Sequence, residues 1–419
     1  MAAKAHVKRT PGHGVALRVV LIALCVLVVA VGGVTAYAMT QGDGSTSPTP
    51  AKRGATAAPT TATAVIKAAD DLTLLVQPPD GAVGTTLDLI VAVTAVGGQL
   101  RSVQVTGPGG KAVAGTPDST NQSWQLDASL APATHYSVTV QAVAPSGRLI
   151  QRTTQFSTLT PKGTLTPDIF PTEGTTVGVG MPIQIRFNHP VANKDAVVAA
   201  MQVTESTPVP GGWHWFGDRE LHFRPEVYWP AGETVTLTAN LDGVDAGGDI
   251  FALANHTVHF AVGDAHVSTA DVNAHVMTVT SNGQVVHTVP ISAGRTQYPT
   301  MAGTHIALYR QQDVHMVSST VGIPVSSPDG YDEHVYWDVN ISDGGEFVHA
   351  APWSTGAQGN SNVSHGCINL SVDNATWFFN FSRVGDVVVV AGSPRPASTT
   401  DHGTMDWTIP WAQWTPATT

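Results

Sequence analysis

The chain has 419 residues, and 42% of them are apolar, so it can bury a sizeable core and is not a disordered chain. Charged residues make up only 12%, whereas Gly (41) and Pro (28) are frequent, which is typical of short strands and turns and disfavours a helical bundle. The formal net charge of −11 argues against a nucleic-acid partner, because binding phosphates requires clustered cations.

An uncharged apolar segment near the N-terminus predicts a transmembrane helix. Residues 19–40 contain enough consecutive apolar residues to cross a bilayer, and four basic residues precede them. We therefore expect residues 1–18 to be a cytoplasmic tail and the rest of this single-pass protein to lie outside the cell membrane. The alternative is a cleaved signal peptide, for which Ala36-Tyr37-Ala38 would be the cleavage site.

Two segments with the same strand pattern follow a linker. Residues 41–68 are rich in Pro, Thr, Ser, Gly and Ala, which predicts a flexible linker. Each later segment has a proline turn, a strand of alternating apolar and polar residues, and then a strand ending in a phenylalanine, Phe156 or Phe260. These phenylalanines are about 100 residues apart, the size of one immunoglobulin-like domain. We therefore predict two immunoglobulin-like β-sandwiches, at 69–160 and 161–262.

The third segment, 263–392, is also predicted to be rich in β-strands. Two alternating runs flank Asn282-Gly283, the strongest short signal for a β-hairpin. The run VVVVAG at 387–392 indicates a buried strand, and only 374–384 has helical character. The fold class expected for the whole chain is therefore mainly β.

A tryptophan-rich extension, 393–419, ends the chain. Trp407, Trp411 and Trp414 have the i, i+4, i+7 spacing of one helical face. We expect this face to pack against the rest of the protein. The alternative is a platform on which carbohydrate rings stack.

One cysteine in the third segment has the surroundings of a nucleophile. Cys367 is the only thiol after the apolar segment; it follows His365 and Gly366, and His349 lies eighteen positions upstream. A thiol nucleophile needs a base or a cation to form its thiolate, and backbone donors for the oxyanion that forms on attack. The other interpretation of an unpaired cysteine is a buried, inert side chain.

The pattern around this cysteine resembles a known catalytic domain. His349, fourteen further residues and then Ser364-His365-Gly366-Cys367-Ile368-Asn369 resemble the L,D-transpeptidase catalytic domain, the YkuD-like family. The resemblance extends to membrane-anchored actinobacterial members that have two immunoglobulin-like domains and a tryptophan-rich tail. It implies a YkuD-like catalytic domain at 263–392.

The resemblance implies a peptidoglycan cross-linking enzyme. Cys367 would attack the third residue of a tetrapeptide stem, release D-alanine and form a thioester, which an amine of a second stem would resolve to a 3→3 cross-link. His349 would be the base, and the Gly366 and Cys367 amides would form the oxyanion hole. No metal or organic cofactor is implied, and carbapenem β-lactams would be covalent inhibitors.

Further roles are implied for residues around the thiol. His365 would orient the loop or the substrate, and Tyr331 would donate its hydroxyl to the substrate. The chain departs from close relatives at Ala350, where a serine is common, and at Val321, where the lid usually carries an aromatic residue. The complete set of implied substrate-binding residues is Tyr331, Met316, Trp353, Ser364 and Asn369.

Three other functions remain open from the sequence. An L,D-carboxypeptidase or endopeptidase would use the same thioester and resolve it with water. A sortase would need an arginine near the thiol, and the nearest arginine in the sequence is Arg383. A non-catalytic wall-binding protein would be expected to lack the Cys or the His, and both are present.

Overall fold

The computed structural model describes residues 64–67, 71–398 and 405–414. With 47% strand and few helices, the protein is mainly β, as the composition predicts. The predicted anchor at 19–40 lies outside the described residues. Within the described ranges, no helix has both the length and the apolar character that a membrane crossing requires.

The first part of the fold contains ten strands. They are β1 (Ala64–Lys67), β2 (Thr73–Gln77), β3 (Ala82–Thr85), β4 (Ala92–Val96), β5 (Gln99–Thr106), β6 (Ala112–Val113), β7 (Gly115–Pro117), β8 (Ser123–Leu126), β9 (His135–Val143) and β10 (Leu149–Thr158). They form two five-stranded sheets in the orders β1-β2-β4-β8-β7 and β3-β10-β9-β5-β6.

These two sheets enclose one apolar core, as a β-sandwich requires. Val76 and Val93 of the first sheet and Val138 of the second are fully buried in it. Tyr136 at the start of β9 accepts a hydrogen bond from the Ala131 amide, 2.8 Å away. A tyrosine that bonds the backbone a few residues upstream is typical of immunoglobulin-like domains, where it fixes the corner between two strands.

The first sheet begins inside the segment predicted to be a flexible linker. Residues 64–67 form β1, which pairs antiparallel with β2. Val65 and Ile66 are β-branched, which favours a strand, and Ile66 packs against the core. The predicted linker 41–68 is therefore too long at its C-terminal end.

The second part contains eleven strands and one short helix. They are β11 (Gly163–Leu165), β12 (Pro167–Phe170), β13 (Thr176–Val177), β14 (Ile183–Phe187), α1 (Lys194–Ala199), β15 (Met201–Glu205), β16 (Gly211–Phe216), β17 (Glu220–Pro225), β18 (Thr234–Ala239), β19 (Asp245–Gly247), β20 (Ile250–Ala252) and β21 (His256–Val262). The sheet orders are β11-β20-β19, β12-β14-β17-β16 and β13-β21-β18-β15.

The third part contains nine strands and one helix. They are β22 (His266–Asp271), β23 (Val276–Ser281), β24 (Gln284–Pro290), β25 (Gly303–Ile306), β26 (Tyr309–Val317), β27 (Asp332–Asn340), β28 (Phe347–Ala350), β29 (Ile368–Leu370), α2 (Val372–Phe381) and β30 (Val387–Ala391). The sheet orders are β24-β23-β22-β30-β25 and β26-β27-β28-β29, and α2 packs on the second sheet.

The hairpin and the helix predicted for this part agree with the structure to within a few residues. Asn282 and Gly283 both have positive φ, 50° and 78°, and join β23 to β24 as the predicted hairpin. The predicted helix at 374–384 begins two residues earlier because the Ser371 hydroxyl caps it by accepting a hydrogen bond from the Asn374 amide.

The second and third parts share one apolar core. Ile306 and Val387 of the third part belong to the same buried cluster as the core of the second part. Backbone bonds cross the boundary, because the Gly178 amide donates to Val384 O at 2.7 Å. A side chain at Gly178 would collide with the backbone at Asp386, so this close approach requires glycine. Apart from the end of the linker, the domain bounds predicted from the sequence stay predictions.

The C-terminal extension does not form the single helical face predicted for its tryptophans. Trp407 lies in a 3₁₀ turn, whereas Trp411 and Trp414 lie in the four-residue helix α3 (Trp411–Trp414). Pro410 stands between the two elements, and a proline cannot supply the amide that a continuous helix needs.

The tail nevertheless packs against the protein, as expected. The Arg224 guanidinium carbon lies 4.6, 5.2 and 4.5 Å from the ring centroids of Trp407, Trp411 and Trp414. The Trp414 indole is fully buried and donates to Gly212 O at 2.9 Å. These contacts hold the extension on the second part of the fold.

A buried histidine adds a charged contact to the docked tail. His222 Nδ1 lies 2.8 Å from Asp406 Oδ2, and Nε2 lies 3.0 Å from Glu220 Oε1. Burial lowers the pKa of His222, but the two carboxylates outweigh it and raise the pKa to about 9. His222 is therefore protonated in the folded protein at neutral pH.

We expect this ion pair to make stability depend on pH. The unfolded histidine has a pKa near 6.5, so the contribution of His222 is fully present below that pH and is lost as the pH rises through about 9. His222→Gln should remove this component, so its melting temperature should fall less than the wild-type value between pH 6 and pH 9.5 in calorimetry. The exposed His259→Gln is the control, and identical pH profiles for all three proteins would contradict the assignment.

Candidate active site

Two short parallel strands carry the residues predicted for catalysis. β28 pairs with β29 so that His349 is opposite Asn369. Their neighbours Val348 and Ile368 point into the core of the third part and are buried. Because side chains alternate along a strand, His349 and Asn369 lie on the other face. Cys367, two residues before Asn369, lines a cavity together with both.

The backbone orients the imidazole of His349. Nδ1 lies 3.0 Å from Ala350 O, and since a carbonyl can only accept, Nδ1 carries the proton and Nε2 keeps its lone pair. The serine hydroxyl missing at Ala350 is therefore not needed for orientation. Burial lowers the pKa of His349 to about 4, although the bonds to Ala350 and Asn369 oppose this. The ring is neutral at neutral pH.

The thiol of Cys367 is also neutral at rest. Burial raises its pKa, a hydrogen bond from the Phe347 backbone lowers it, and three acidic neighbours raise it further, to about 12. A thiolate–imidazolium pair is therefore not the resting state, and the thiol must lose its proton as it reacts. The acidic neighbours are Glu346, Asp338 and Glu333.

A cavity of about 250 Å³ lies beside His349, and we call it the histidine cavity. It contains every predicted site residue except Gly366. Val363 and the acidic Glu333 complete its lining. The roles of the predicted residues stay predictions, but the fold brings them together. The lining is Met316, Tyr331, Glu333, His349, Trp353, Val363, Ser364, His365, Cys367 and Asn369.

A second cavity, of about 290 Å³, also reaches the thiol. It shares Tyr331, His365 and Cys367 with the histidine cavity, so the thiol lies between the two. We call it the arginine cavity, since Arg395 lies in its lining. Its remaining lining residues are Gln297, Tyr298, Pro299, Val321, Ile323, Gly344, Gly345 and Glu346.

Two residues that the sequence did not indicate, Arg295 and Tyr298, contact His365. Arg295 Nη2 donates to His365 Nε2 at 2.9 Å, and Arg295 also pairs with Asp329. The rings of Tyr298 and Tyr331 lie 5.1 and 5.0 Å from the imidazole centroid. Burial and Arg295 lower the pKa of His365. With Nε2 occupied, His365 is suited to holding the loop rather than to taking a proton.

Arg295 also corrects the argument against a sortase. That argument counted Arg383 as the arginine nearest the thiol, but the Arg383 amide bonds Asp386 and the side chain lies against Gly263. Arg295, 70 residues from His365 in the chain, and Arg395 are the arginines at the site. The presence of an arginine beside the thiol therefore does not distinguish a sortase from the family that the motif resembles.

A tight loop leads into Cys367. The Ser364 hydroxyl donates to Cys367 O at 2.6 Å and accepts from the Gly366 amide at 3.1 Å. The Gly366 amide is therefore already bonded in this conformation, and its place in the oxyanion hole stays a prediction. Among the described residues, no hydrogen bond uses the Cys367 amide. It is the backbone donor that remains beside the sulfur.

The predicted lid lies over the arginine cavity. Val321 ends a 3₁₀ turn at Ser318–Val321, is 47% exposed and lines the cavity. A smaller side chain thus takes the place where an aromatic residue was expected. On the other side, Trp353 lies 6.2 Å from the His349 ring and is 56% exposed, so the mouth of the histidine cavity is open to solvent.

Two buried acids near the thiol were also missed. Glu346 is 4% exposed, lies 2.7 Å from Arg395 Nη1 and accepts the Met301 amide at 3.1 Å. Asp338 is fully buried, and neither of its carboxylate oxygens bonds a described residue. Burial and then Asp313 raise the pKa of Asp338 to about 7. The sequence signal that could have indicated Asp338 was an acidic residue inside an otherwise apolar part of a strand.

We expect Gly366→Ala to disturb this loop. Gly366 has φ +135°, which L-residues rarely adopt, and a Cβ there would lie 3.1 Å from Glu346 Oε1. The free energy of unfolding should fall by about 1–3 kcal/mol in denaturant titrations, and iodoacetamide should alkylate Cys367 at a changed rate. Gly356→Ala is the control, because its Cβ would meet no atom within 4 Å. Equal stability of the two variants would exclude a strained loop.

Two family models match parts of the chain. Residues 265–390 match the L,D-transpeptidase catalytic domain family, and residues 82–245 match a bacterial Ig domain family. A solved LD transpeptidase in complex with imipenem is 35% identical, with a TM-score of 0.49, over 55% of this chain and 99% of that one.

Two curated relatives from Mycobacterium tuberculosis match over most of the chain. L,D-transpeptidase 2 is 40% identical over 335 residues, which are 80% of this chain and 82% of that protein. L,D-transpeptidase 5 is 33% identical over 350 residues, which are 81% of this chain and 76% of that protein. The chain therefore belongs to the L,D-transpeptidase family of enzymes.

Proposed function

We propose that the enzyme forms 3→3 cross-links between peptidoglycan stems through a thioester on Cys367. The observation that carries this proposal is the cavity that Cys367 shares with His349, whose ring is oriented by the bond from Nδ1 to Ala350 O. A neutral thiol beside a neutral, oriented imidazole is the arrangement that general-base attack requires. Family membership supports peptidoglycan cross-linking as the overall activity.

The first half-reaction forms the thioester. Cys367 Sγ attacks the carbonyl carbon of the third residue of a tetrapeptide stem, and His349 Nε2 takes the thiol proton. The C–N bond to the terminal D-alanine then breaks, and His349 returns the proton to the leaving amine. The tripeptide stays on the sulfur, and D-alanine leaves.

The second half-reaction resolves the thioester. The side-chain amine of a third residue on a neighbouring stem attacks the carbonyl carbon and loses a proton to His349. The C–S bond breaks, the proton returns to Cys367, and the new amide joins the two stems. Water in place of this amine would give free tripeptide, the outcome of a carboxypeptidase.

Two donors are available for the oxyanion of each intermediate. The Cys367 amide is one, and the Tyr331 hydroxyl is the other. Burial, together with the nearby Cys367, raises the pKa of Tyr331, so its hydroxyl stays protonated. The Gly366 amide would first have to leave Ser364 Oγ.

In this proposal, the position of His349 is the basis for assigning one part of the substrate to each cavity. The leaving amine and the attacking amine both exchange a proton with His349, so both belong in the histidine cavity. The acyl part of the donor stem then extends into the arginine cavity. Glu333 in the histidine cavity suits an incoming ammonium group.

The rest of the chain would carry the active site to its substrate. The apolar segment 19–40 would anchor the protein in the cytoplasmic membrane, with the catalytic domain facing the wall. The two immunoglobulin-like parts would space it from the membrane, and the second would also brace it through the shared core.

We expect two substitutions to stop the reaction for different reasons. Cys367→Ala removes the nucleophile and should abolish both D-alanine release and dimer formation. His349→Ala should slow the reaction by about 100-fold or more because the thiol then has no base. The assay is mass spectrometry of products from a purified tetrapeptide stem, with His259→Ala in the second part as the control.

The products decide between the two chemical outcomes. Dimers linked 3→3 support the transpeptidase, and tripeptide alone would favour the carboxypeptidase. Full activity of Cys367→Ala would rule out the thiol mechanism.

Carbapenems should acylate Cys367. Attack on a β-lactam carbonyl opens the ring without losing a fragment, so the protein should gain the mass of the intact drug, and penicillins should react poorly. Intact-protein mass spectrometry with imipenem tests this, because Cys367→Ala keeps Cys25 and should gain no mass. An adduct on that variant would place the reaction elsewhere.

A further inference from the structure

Arg295 bonds two consecutive residues of the loop that leads into Cys367. It lies in the segment that joins β24 to β25, and its amide donates to Ser364 O at 3.0 Å. Its side chain donates from Nη2 to His365 Nε2 at 2.9 Å. Ser364 in turn bonds Cys367 O and the Gly366 amide. Arg295 therefore supports the loop at the two residues that precede its tight turn.

The same nitrogen also holds the segment that covers the arginine cavity. Residues 318–331 join β26 to β27, and we call them the lid segment. Arg295 Nη2 carries two hydrogens, so it donates one to His365 and the other to Asp329 Oδ1 of the lid segment. The Tyr298 hydroxyl donates to the second carboxylate oxygen, Asp329 Oδ2, at 3.1 Å. One guanidinium group therefore links the lid segment to the loop of the thiol.

The directions of these hydrogen bonds fix the proton of His365. A guanidinium group has only donors, so Nε2 accepts and carries no proton. The backbone of Asp329 also bonds the imidazole, and because its carbonyl oxygen can only accept, the ring proton lies on Nδ1. A second proton, on Nε2, would meet the hydrogen of Arg295 Nη2. Protonation of the ring therefore breaks its bond to Arg295.

Two charges of opposite sign act on this imidazole. Burial and then the charge of Arg295 lower the pKa of His365, whereas the charge of Asp329 raises it. The phenol rings of Tyr298 and Tyr331 lie 5.1 and 5.0 Å from the centroid of the imidazole. The other titratable or charged residues that line the two cavities bordered by His365 are Cys367, His349, Glu333, Glu346 and Arg395.

We propose that Arg295 is a positioning residue of the reaction, which holds His365 as the neutral Nδ1–H tautomer and fastens the lid segment to the loop before Cys367. The described residues that line the two cavities do not include Arg295, so it acts through His365, Ser364 and Asp329. The imidazole then stays beside both tyrosine rings, and the thiol keeps its place between the two cavities. The inference rests on the proposed function, since it takes Cys367 as the nucleophile.

Nitrogen NMR of the histidine rings tests the tautomer directly. In full-length protein with isotope-labelled histidine, His365 should show a protonated Nδ1 and an unprotonated Nε2, and His365→Gln identifies its signals. Arg295→Met keeps an unbranched side chain of similar length and removes the donors and the charge, so the ring should become a mixture of tautomers. Arg295→Lys keeps a donor and the charge and should restore the wild-type tautomer.

The two halves of the ion pair should shift the titration of His365 in opposite directions. Arg295→Met removes the charge that lowers the pKa of His365, so the ring should become protonated at a higher pH than in the wild type. Asp329→Asn keeps an oxygen acceptor for Arg295 and removes the charge that raises this pKa, so protonation should need a lower pH. Loss of a purely structural contact would not give shifts of opposite sign. Asp329→Asn also keeps the test decisive if Arg295→Met does not fold.

Turnover should depend on the same contact. The value of kcat/KM for D-alanine release from a tetrapeptide stem should fall by about tenfold or more in Arg295→Met, because a charge-assisted hydrogen bond that orders the loop is lost. Arg295→Lys should recover most of this loss. The control is Arg310→Met, whose arginine bonds Phe379 O outside both cavities, and it should leave the tautomer and the rate unchanged.

The NMR signals need no turnover, so they distinguish failure of this inference from failure of the proposed function. If the Nδ1–H tautomer depends on Arg295 while Cys367→Ala is fully active, the thiol mechanism is overturned and the hold of Arg295 on His365 is kept. A proton on Nε2 in the wild type would overturn the role of Arg295. Titration shifts of the same sign in Arg295→Met and Asp329→Asn, or wild-type kcat/KM in Arg295→Met, would overturn it as well.

Discussion

The parallel pairing of β28 with β29 is the constraint on which the active site depends. The two strands are only four and three residues long, yet their register puts His349 opposite Asn369. Alternation then sends Val348 and Ile368 into the core and the reactive side chains to the cavity. The core residues that stabilise the sheet therefore also fix the positions of His349 and Asn369.

The site is electrostatically unfavourable to a thiolate before substrate arrives. Burial and neighbouring acids keep Cys367 protonated, and burial keeps His349 neutral. Such a site protects the only thiol of the described chain from oxidation, which needs the thiolate. The thiol must therefore lose its proton as it reacts, and backbone or side-chain donors of the protein would stabilise the negative charge that develops on the substrate.

The tail links the second part of the fold to the catalytic part. It passes Met301 beside the arginine cavity and then docks on the second part through its tryptophans and Asp406. Together with the shared core, these contacts make the second part a support for the third part. A residue such as Arg395 can reach the cavity because the tail is held at both ends.

The sequence by itself determined the class of fold and the family, and it located the candidate nucleophile and base, because these depend on local alternation and on a motif whose residues lie on or next to adjacent strands. Only the tertiary structure revealed the partner of His365, 70 residues away, and the pairing of Glu346 with Arg395, 49 residues apart. It also showed that the Gly366 amide bonds Ser364, and it corrected the start of the first sheet and the helical face of the tail. These features depend on how distant segments pack, and neither hydrophobic periodicity nor motif spacing records which loops meet after the sheets have closed.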